Sequence, residues 1–525
     1  MRLSQLVAEL AGPSVGRPVG PAEVLGSDAD VSAICHDSRR AGPGALFVAV
    51  PGFRTDGHDY IEQAVARGAV AVAVQADRPE KWRVVVEEGA DARPSGRGLS
   101  AVVVADTRQA LAALAAAFYG HPGRRLRVVG VTGTDGKSTV VHLVSHLLEA
   151  AGHRAGLLST VYCKAGDRIW ANESRFTTPE APEVQALLAE AAAAGADYAV
   201  LESTSHGLAL HRLDGCEYDV AAMTNVTADH LDFHRSREEY LAAKGRLFAM
   251  LDESTRKAGV EKVAVLNVDD PAADYFRSLT RARAITYGIE KPADVRAAEI
   301  RPLDWGSRFR LLTAVGEEEV TLGLPGDFNV ENALAGAAVA LSQGVALADV
   351  ARGIASFPGV PGRLERVDEG QPFSVVVDFA HAPEALRQVL AFLRGRCRGR
   401  LIAVFGCIGE RERPRRAGMG LAAGQLADFS ILTNDNPFDE DPDAIIAEIA
   451  QGLREAGRHE GHHFVAIPDR REAIAHAFAM AVEGDVVLLA GKGHEQSITI
   501  GETIIPWDDR RVAREVLREI AFRNP

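Results

Sequence analysis

One stretch constrains this chain's fold more than any other: an apolar run over residues 126–131, the turn Thr132-Gly133-Thr134-Asp135-Gly136-Lys137, and a helical pattern over 138–151. A strand that enters a helix through so short a turn packs that helix back onto its own sheet. Repeating the unit builds a parallel sheet with helices on both faces. β-like runs at 198–201, 220–224 and 263–267, separated by helical stretches, supply the neighbouring strands. The same turn suits an anion. Its backbone N–H groups and the positive helix end would face phosphate oxygens, glycine lets the backbone come close, and Lys137 neutralises the outermost charge. Such loops usually carry glycine at the position of Val131, so the pattern here is a shorter Gly-Thr-x-Gly-Lys-Ser variant. Gly133, Thr134, Asp135, Gly136, Lys137, Ser138 and Thr139 are the candidate phosphate contacts, and the Ser138 hydroxyl suits Mg²⁺, which prefers oxygen ligands.

At 525 residues the chain exceeds what one core sustains, since cores stop growing near about 250 to 300 residues. Three domains are expected, at 1–107, 108–358 and 359–525. The first carries short apolar runs at 45–50, 69–74 and 101–104, punctuated by Pro51-Gly52 and Gly57, with a polar loop at 91–100 and an alanine-rich helix over 108–119 behind it. It reads as a small α/β domain. The glycine- and proline-rich segment 358–362 marks the last boundary, and the hinge is expected in the loop 357–362. Beyond it, runs at 374–377, 401–405, 429–432 and 486–490 alternate with helices, predicting a C-terminal Rossmann-like α/β domain after the central P-loop ATPase domain.

The formal net charge of -14 argues against a nucleic-acid partner, because phosphate backbones are held by clustered Lys and Arg. It leaves room for a nucleotide, which a few amides, one lysine and a metal grip locally. The five cysteines are scattered without a CxxC or His-spaced pattern, which predicts reduced thiols. No signal-peptide core opens the chain, and no window reaches the roughly 18 apolar residues of a membrane span, so a cytoplasmic location is expected. A monomer is the expected state, although nothing in the sequence speaks to assembly.

Two further clusters follow β-runs, on the sheet edge where open α/β sheets bind ligands. Glu202, at the end of the 198–201 run, is placed to hold metal beside the loop. Thr224-Asn225-Val226-Thr227-Ala228-Asp229-His230-Leu231-Asp232-Phe233-His234 is dense in polar residues, and His230 is its candidate metal ligand or phosphate contact.

These segments resemble the Mur ligase family over essentially the whole chain, and within it the branch that adds the third residue of the cell-wall peptide. The likeness rests on Asp37-Ser38-Arg39 and Asp56-Gly57-His58-Asp59, then on the phosphate loop, Thr177-Thr178-Pro179, Glu202-Ser203-Thr204-Ser205-His206-Gly207, and Tyr240-Leu241-Ala242-Ala243-Lys244. It continues through Asn329-Val330-Glu331-Asn332, Gly362-Arg363-Leu364-Glu365, Asp378-Phe379-Ala380-His381, Asp435-Asn436-Pro437 and Gly491-Lys492-Gly493-His494-Glu495. The resemblance implies an ADP-forming ligase that turns a carboxylate into an acyl phosphate with ATP and Mg²⁺, then joins it to an amine. Its acceptor would be UDP-linked muramoyl dipeptide, and its amine a diamino acid. By the same resemblance Lys137, Glu202, His230 and Lys244 serve catalysis, and Lys244 carries a CO₂-derived carbamate that joins Ser138, Glu202 and His230 around metal; burial favours the neutral amine that carbamate formation needs. Ser38 and His58 would meet the uridine nucleotide, and Thr177, Thr178, Ser205 and Arg212 the sugar-peptide. Asn332, Arg363, Asp378 and His381 would surround ATP. Arg411, Asn436, Phe438, Gly491 and Glu495 would line the amino-acid pocket.

Two departures bear on this expectation. Asp135 puts a negative charge near the phosphates where relatives carry Asn. Phe438 stands where relatives that add meso-diaminopimelate carry an arginine that clamps a carboxylate; losing such a clamp costs about 1.5 to 3 kcal/mol, which brings L-lysine and L-ornithine in beside diaminopimelate. Other expectations are another amide ligase of this fold, of the folylpolyglutamate or cyanophycin type, or a nucleotide-binding regulatory protein without ligase activity. ATP turnover that requires both acceptor and amino acid separates them.

Overall fold

Strand segments without polar alternation have to be covered on both faces. Arg127–Thr132, Tyr198–Glu202, Tyr218–Met223 and Val263–Asn267 have nearly every side chain out of solvent, and they run parallel in the middle of one sheet. This is seen in a computed structural model, which describes residues 1–10, 22–53, 55–89, 99–172, 176–227, 231–410 and 413–523. The chain divides into two units, Met1–Phe357 and Pro358–Pro525.

In the first unit the phosphate-loop strand Arg127–Thr132 lies between Tyr198–Glu202 and Tyr218–Met223, with Glu202 opposite Val131 and Met223 opposite Thr132. That register brings three strand ends together, so the residues that follow each strand share one rim. Parallel pairing continues to Ala155–Leu158 on one side and through Val263–Asn267 and Arg283–Gly288 to Val295–Pro302 on the other. The expected parallel central sheet is present, and antiparallel strands extend it at both edges. The hairpin Tyr162–Ala165 with Arg168–Ala171 adds antiparallel strands at one edge, and Ser307–Thr313 with Gly316–Leu322 adds them at the other. The physical reason is local: Thr313 pairs with Gly316 across a two-residue turn, and a turn that short joins only antiparallel strands.

Helix Arg237–Glu253 packs Tyr240, Leu247, Phe248 and Leu251 against the sheet. It comes so close that a Cβ on Gly130 would lie 2.6 Å from Tyr218 Cε1 and 2.7 Å from Leu247 Cδ1, so glycine in that strand is a condition of the helix's approach. Each fully buried aliphatic or aromatic side chain there contributes about 1.5 to 3 kcal/mol. The smaller N-terminal sheet places Glu23–Leu25 antiparallel to Ser100–Val104, followed by the parallel strands Ala71–Gln75, Ala45–Val48 and Ala33–Cys35. Helix Thr107–Phe118 lies on it, started by Asp106, whose carboxylate accepts from the N–H groups of Arg108 and Gln109.

The second unit has its own sheet. Glu365–Val367 is antiparallel to Ser374–Asp378, and then Val486–Ala490, Leu401–Phe405, Phe429–Leu432 and Phe464–Ala466 follow in parallel. Behind the strand ends the buried pair Arg470–Asp509 is bidentate at 2.8 and 2.6 Å. Elsewhere in this unit the buried Arg416 donates through Nη2 to the half-buried Glu440 at 2.9 Å, and the Glu410 backbone N–H also donates to Glu440. These contacts hold the Glu440 carboxyl down at about 2. A depressed carboxyl stabilises the fold above its ordinary pKa of about 4.3, and the contribution drains away as pH falls toward the folded value. Glu440→Gln is therefore expected to flatten the loss of stability between pH 5 and pH 2, read as urea midpoints across that range; an unchanged slope would show that the pair is not linked to folding.

Candidate active site

The phosphate loop is built by backbone geometry. Gly136 has φ +79°, and a Cβ there would lie 2.2 Å from Asn332 Oδ1, so only glycine lets helix Asp327–Ser342 bring Asn332 against the loop. Asn332 Nδ2 in turn donates to Asn329 Oδ1 at 3.2 Å. Helix Lys137–Ala150 starts directly after Gly136, with its N-terminal N–H groups on the rim. From the neighbouring strand end, Asn225 O accepts from Thr134 N at 2.7 Å, Asn225 Oδ1 accepts from Asp135 N at 3.0 Å, and the Thr224 hydroxyl donates to Asp135 O at 2.6 Å. The loop is thus clasped from one side and open toward solvent at the exposed Asp135. Lys137 Nζ donates to Thr134 O at 2.7 Å, folded over the loop.

Glu202 sits where the sheet register puts it. It is 2% exposed, and its carboxylate accepts from the Ser138 hydroxyl at 3.0 and 3.1 Å, from Thr160 N at 2.8 Å and from the Thr160 hydroxyl at 3.0 Å. These partners are neutral, and among the described residues no cationic side chain pairs with this buried carboxylate. A buried charge without a counter-charge is unfavourable, and a hard cation shared with Ser138 would supply it. Among the described residues no group of three or more His, Cys, Asp and Glu side chains forms a metal cage. One carboxylate and one hydroxyl fit Mg²⁺, which keeps most of its coordination for water and phosphate oxygens.

Lys244 is 1% exposed. Its Nζ donates to Gly133 O at 2.6 Å and lies 4.3 Å from the centroid of the Tyr240 ring. A lysine buried on a phosphate loop is far from the solvated surface lysine that its helix position alone would suggest. His230 and Arg411 fall outside the described residues.

The expected acceptor residues gather one strand away from the loop. Thr177 Oγ1 lies 3.1 Å from Thr160 Oγ1, and Thr178 Oγ1 donates to Glu202 O at 3.0 Å. Ser205 is buried at the start of helix Ser205–Ala209. Arg212 pairs with Glu180 at 2.6 Å and donates to Thr178 O at 3.0 Å. In the N-terminal domain Ser38 Oγ donates to Gln63 Oε1 at 2.6 Å. His58 Nε2 accepts from Gln75 N at 3.0 Å, which places the proton on Nδ1, 2.7 Å from Asp56 Oδ1. Both ring nitrogens are therefore engaged inside this domain.

In the second unit the remaining residues collect at the strand ends. Asp378 accepts from Leu364 N and Ala380 N, each at 2.8 Å; burial raises its carboxyl against the lowering effect of Arg363. The Arg363 guanidinium lies 4.7 Å over the Phe379 ring, and His381 Nδ1 is 2.9 Å from Phe379 O, its pKa lowered by burial and by Arg415 and Arg363. Lys492, fully buried, reaches Glu495 at 2.5 Å, Asn436 Oδ1 at 3.1 Å and Asp435 at 3.3 Å. Asn436 Nδ2 also donates to Glu495 at 3.1 Å. Asp435 is 1% exposed and neither of its oxygens receives a hydrogen bond from a described residue. Gly491, at φ +103°, faces it: a Cβ there would sit 2.9 Å from Asp435 Oδ2. Phe438 has φ +53°, a conformation an aromatic side chain rarely adopts, held by Phe438 N donating to Thr499 O and Gly501 N donating to Phe438 O.

Sequence reasoning passed over Thr160, Asn225, Lys492 and Asp435 as site residues. Thr160 carries no signal, because it reaches Glu202 only through the sheet. Asp435 and Lys492 stood inside quoted motifs, and the signal was a pair of charged residues directly after buried strands.

A phosphate loop, a hydroxyl–carboxylate pair for a hard cation and a buried lysine, gathered at one rim of the first unit's large sheet, are the centre of an ATP-dependent, ADP-forming ligase. Residues 131–340 match the Mur ligase middle domain, 362–493 the Mur ligase glutamate ligase domain and 30–119 the catalytic domain of the Mur ligase family. The chain belongs to the Mur ligase family. It is 47% identical to a UDP-N-acetylmuramyl-tripeptide synthetase of Roseiflexus sp. (strain RS-1), over 99% of this chain and 100% of the relative. It is 42% identical to the UDP-N-acetylmuramoyl-L-alanyl-D-glutamate--2,6-diaminopimelate ligase of Geobacillus thermodenitrificans (strain NG80-2), again over 99% and 100%. A solved structure of a ligase of that second description is similar at TM-score 0.62 and 32% identity, over 94% of this chain and 96% of that one.

Proposed function

We propose that this ligase joins a diamino acid to UDP-N-acetylmuramoyl-L-alanyl-D-glutamate, releasing ADP and phosphate, as a step in building the cell-wall peptide. The observation that carries this reading is the meeting of Ser138, Glu202 and Lys244 around one phosphate loop, together with full-length similarity to a tripeptide synthetase and to a ligase named for that acceptor. Three domains divide the work: 1–107 for the UDP-sugar, with Ser38 and His58; 108–358 for ATP; and 359–525 for the amino acid. His58 acts through the Asp56 network, since neither ring nitrogen is left for a ligand.

The acceptor carboxylate attacks the γ-phosphorus of ATP, the bond to the bridging oxygen breaks, and ADP leaves. The α-amine then attacks the acyl carbon and, with loss of its proton, the tetrahedral adduct expels phosphate. Every partner in the first step is anionic. The loop amides and Lys137 bind the phosphate oxygens, and Thr177, Thr178 and Ser205 orient the acceptor. Ser138, Glu202, His230 and the carbamate of Lys244 would hold Mg²⁺, which screens the charge that develops on the transferred phosphoryl group. Asn332, Arg363, Asp378 and His381 serve the nucleotide. A cytoplasmic location fits this reading, and no helix among the described residues is long and apolar enough to cross a membrane.

Asn436, Phe438, Gly491 and Glu495 would line the amino-acid pocket, with Asp435 and Lys492 beside them, and Arg411 is assigned to it by the family resemblance alone. Asp435 and Glu495 outnumber Lys492 by one negative charge, which a terminal ammonium would neutralise. Phe438 offers no donor to a second carboxylate. Both features favour L-lysine or L-ornithine among the diamino acids. ADP release measured with UDP-linked dipeptide and each of L-lysine, L-ornithine and meso-diaminopimelate tests the proposal: turnover should require acceptor and amino acid together, with diaminopimelate poorer by about tenfold or more in affinity. Turnover without the acceptor, or none with any of the three, would defeat it.

A further inference from the structure

We infer that Tyr240 is a positioning residue that ties the phosphate loop to Lys244. The inference rests on the reading of Lys137 to Lys244 as the ATP-handling centre, and it adds a residue which that reading leaves without a role. Tyr240 and Lys244 stand one helical turn apart on helix Arg237–Glu253, so their side chains share a face. Tyr240 is 1% exposed, and its two ends do different things. Its hydroxyl lies 3.0 Å from Thr134 Oγ1, inside the phosphate loop. Its ring face lies 4.3 Å from Lys244 Nζ, which itself donates to Gly133 O at 2.6 Å. One side chain therefore fixes both the loop and the height of the lysine above it.

The neighbouring contacts keep the ring in place. The His234 ring packs on Tyr240 edge to face at 5.2 Å, and His234 in turn meets Phe233 at 4.6 Å and His206 at 5.4 Å. Thr134 Oγ1 also accepts from Thr227 N at 3.0 Å and donates to Thr227 O at 3.3 Å, so the hydroxyl that Tyr240 meets is already oriented by the Thr227 backbone. A tyrosine needed only to fill space would work equally well as phenylalanine. A tyrosine that orders the loop through its hydroxyl would not.

The test is a double-mutant cycle on ADP release by the full chain with acceptor and amino acid present, using Tyr240→Phe and Thr134→Val. Each single substitution is expected to raise KM for ATP about three- to tenfold, with kcat held within about twofold by Tyr240→Phe, and the double substitution is expected to be no worse than the poorer single one. Tyr240→Leu, which also removes the ring that packs against Lys244 and sets its position, is expected to lower kcat by about 30-fold beyond Tyr240→Phe. Multiplicative effects in the cycle, or a Tyr240→Phe enzyme with the KM of the unmodified chain, would overturn the inference. The cycle keeps ring and volume, so it decides the matter whether or not Tyr240→Leu folds. An unmodified chain that fails to turn over ATP would defeat the ligase reading and this inference together, whereas multiplicative effects on an active enzyme would remove only the role of Tyr240.

Discussion

Lys244→Ala is expected to reduce ADP release by about 100- to 1,000-fold at saturating substrates, the scale seen when one fixed electrostatic contact to a transition state is removed. The reason is position. Lys244 is 1% exposed, and its Nζ reaches the loop carbonyl of Gly133, so alanine removes that contact and leaves a gap beside the loop. If the working form is the carbamate, short carboxylates such as acetate should restore part of the lost rate, because they supply the missing anion to the same gap. Steady-state assays with and without millimolar acetate read this directly. Full activity in the untreated variant would remove Lys244 from the mechanism, and a low rate that acetate leaves unchanged would remove the carbamate.

A loss of similar size, again about 100- to 1,000-fold in kcat/KM, is expected for Glu202→Gln, with a higher Mg²⁺ requirement for what activity remains. The substitution changes charge and little else. The amide oxygen can still accept from Thr160 N and the Thr160 hydroxyl, and the amide nitrogen can donate to Ser138 Oγ, so the contacts of the present carboxylate survive. Thermal stability should stay close to that of the unmodified chain while the Mg²⁺ titration moves to higher concentration. Acetate, which helps Lys244→Ala, should not help here, because the missing charge lies in a pocket already filled by the glutamine. Activity within threefold of the unmodified chain at equal Mg²⁺ would mean that the carboxylate holds no metal.

These two residues differ in how they could be found. Glu202 was legible: a single carboxylate that ends an apolar run of a parallel-strand pattern falls on the ligand-binding edge of such a sheet. Lys244 was legible only through resemblance, since a lysine seven residues into a helix of mixed polarity gives no local sign of burial. The edge hairpins around 162–171 and 307–322 were missed although Tyr162–Ala165 and Ser307–Leu311 alternate in burial, and the two-residue turn at 314–315 lacks the glycine or asparagine that usually marks a hairpin. The two-unit division at Phe357 falls next to the glycine- and proline-rich segment 358–362, where local chemistry discourages both helix and strand.

By itself the sequence determined the units: the strand, loop and helix of the phosphate site, the buried strand runs, and the chemistry at their ends. Those follow from short-range rules, because a glycine's φ, a strand's burial and a helix start depend on residues a few positions apart. Tertiary structure alone decided which ends meet. It brought Thr160 to Glu202 across 42 residues of chain and Lys244 to Gly133 across 111, and it left Asp435 buried opposite the bare Cα of Gly491. Such contacts depend on sheet order and on how closely a helix crosses a strand, and both are set by the packing of the entire core.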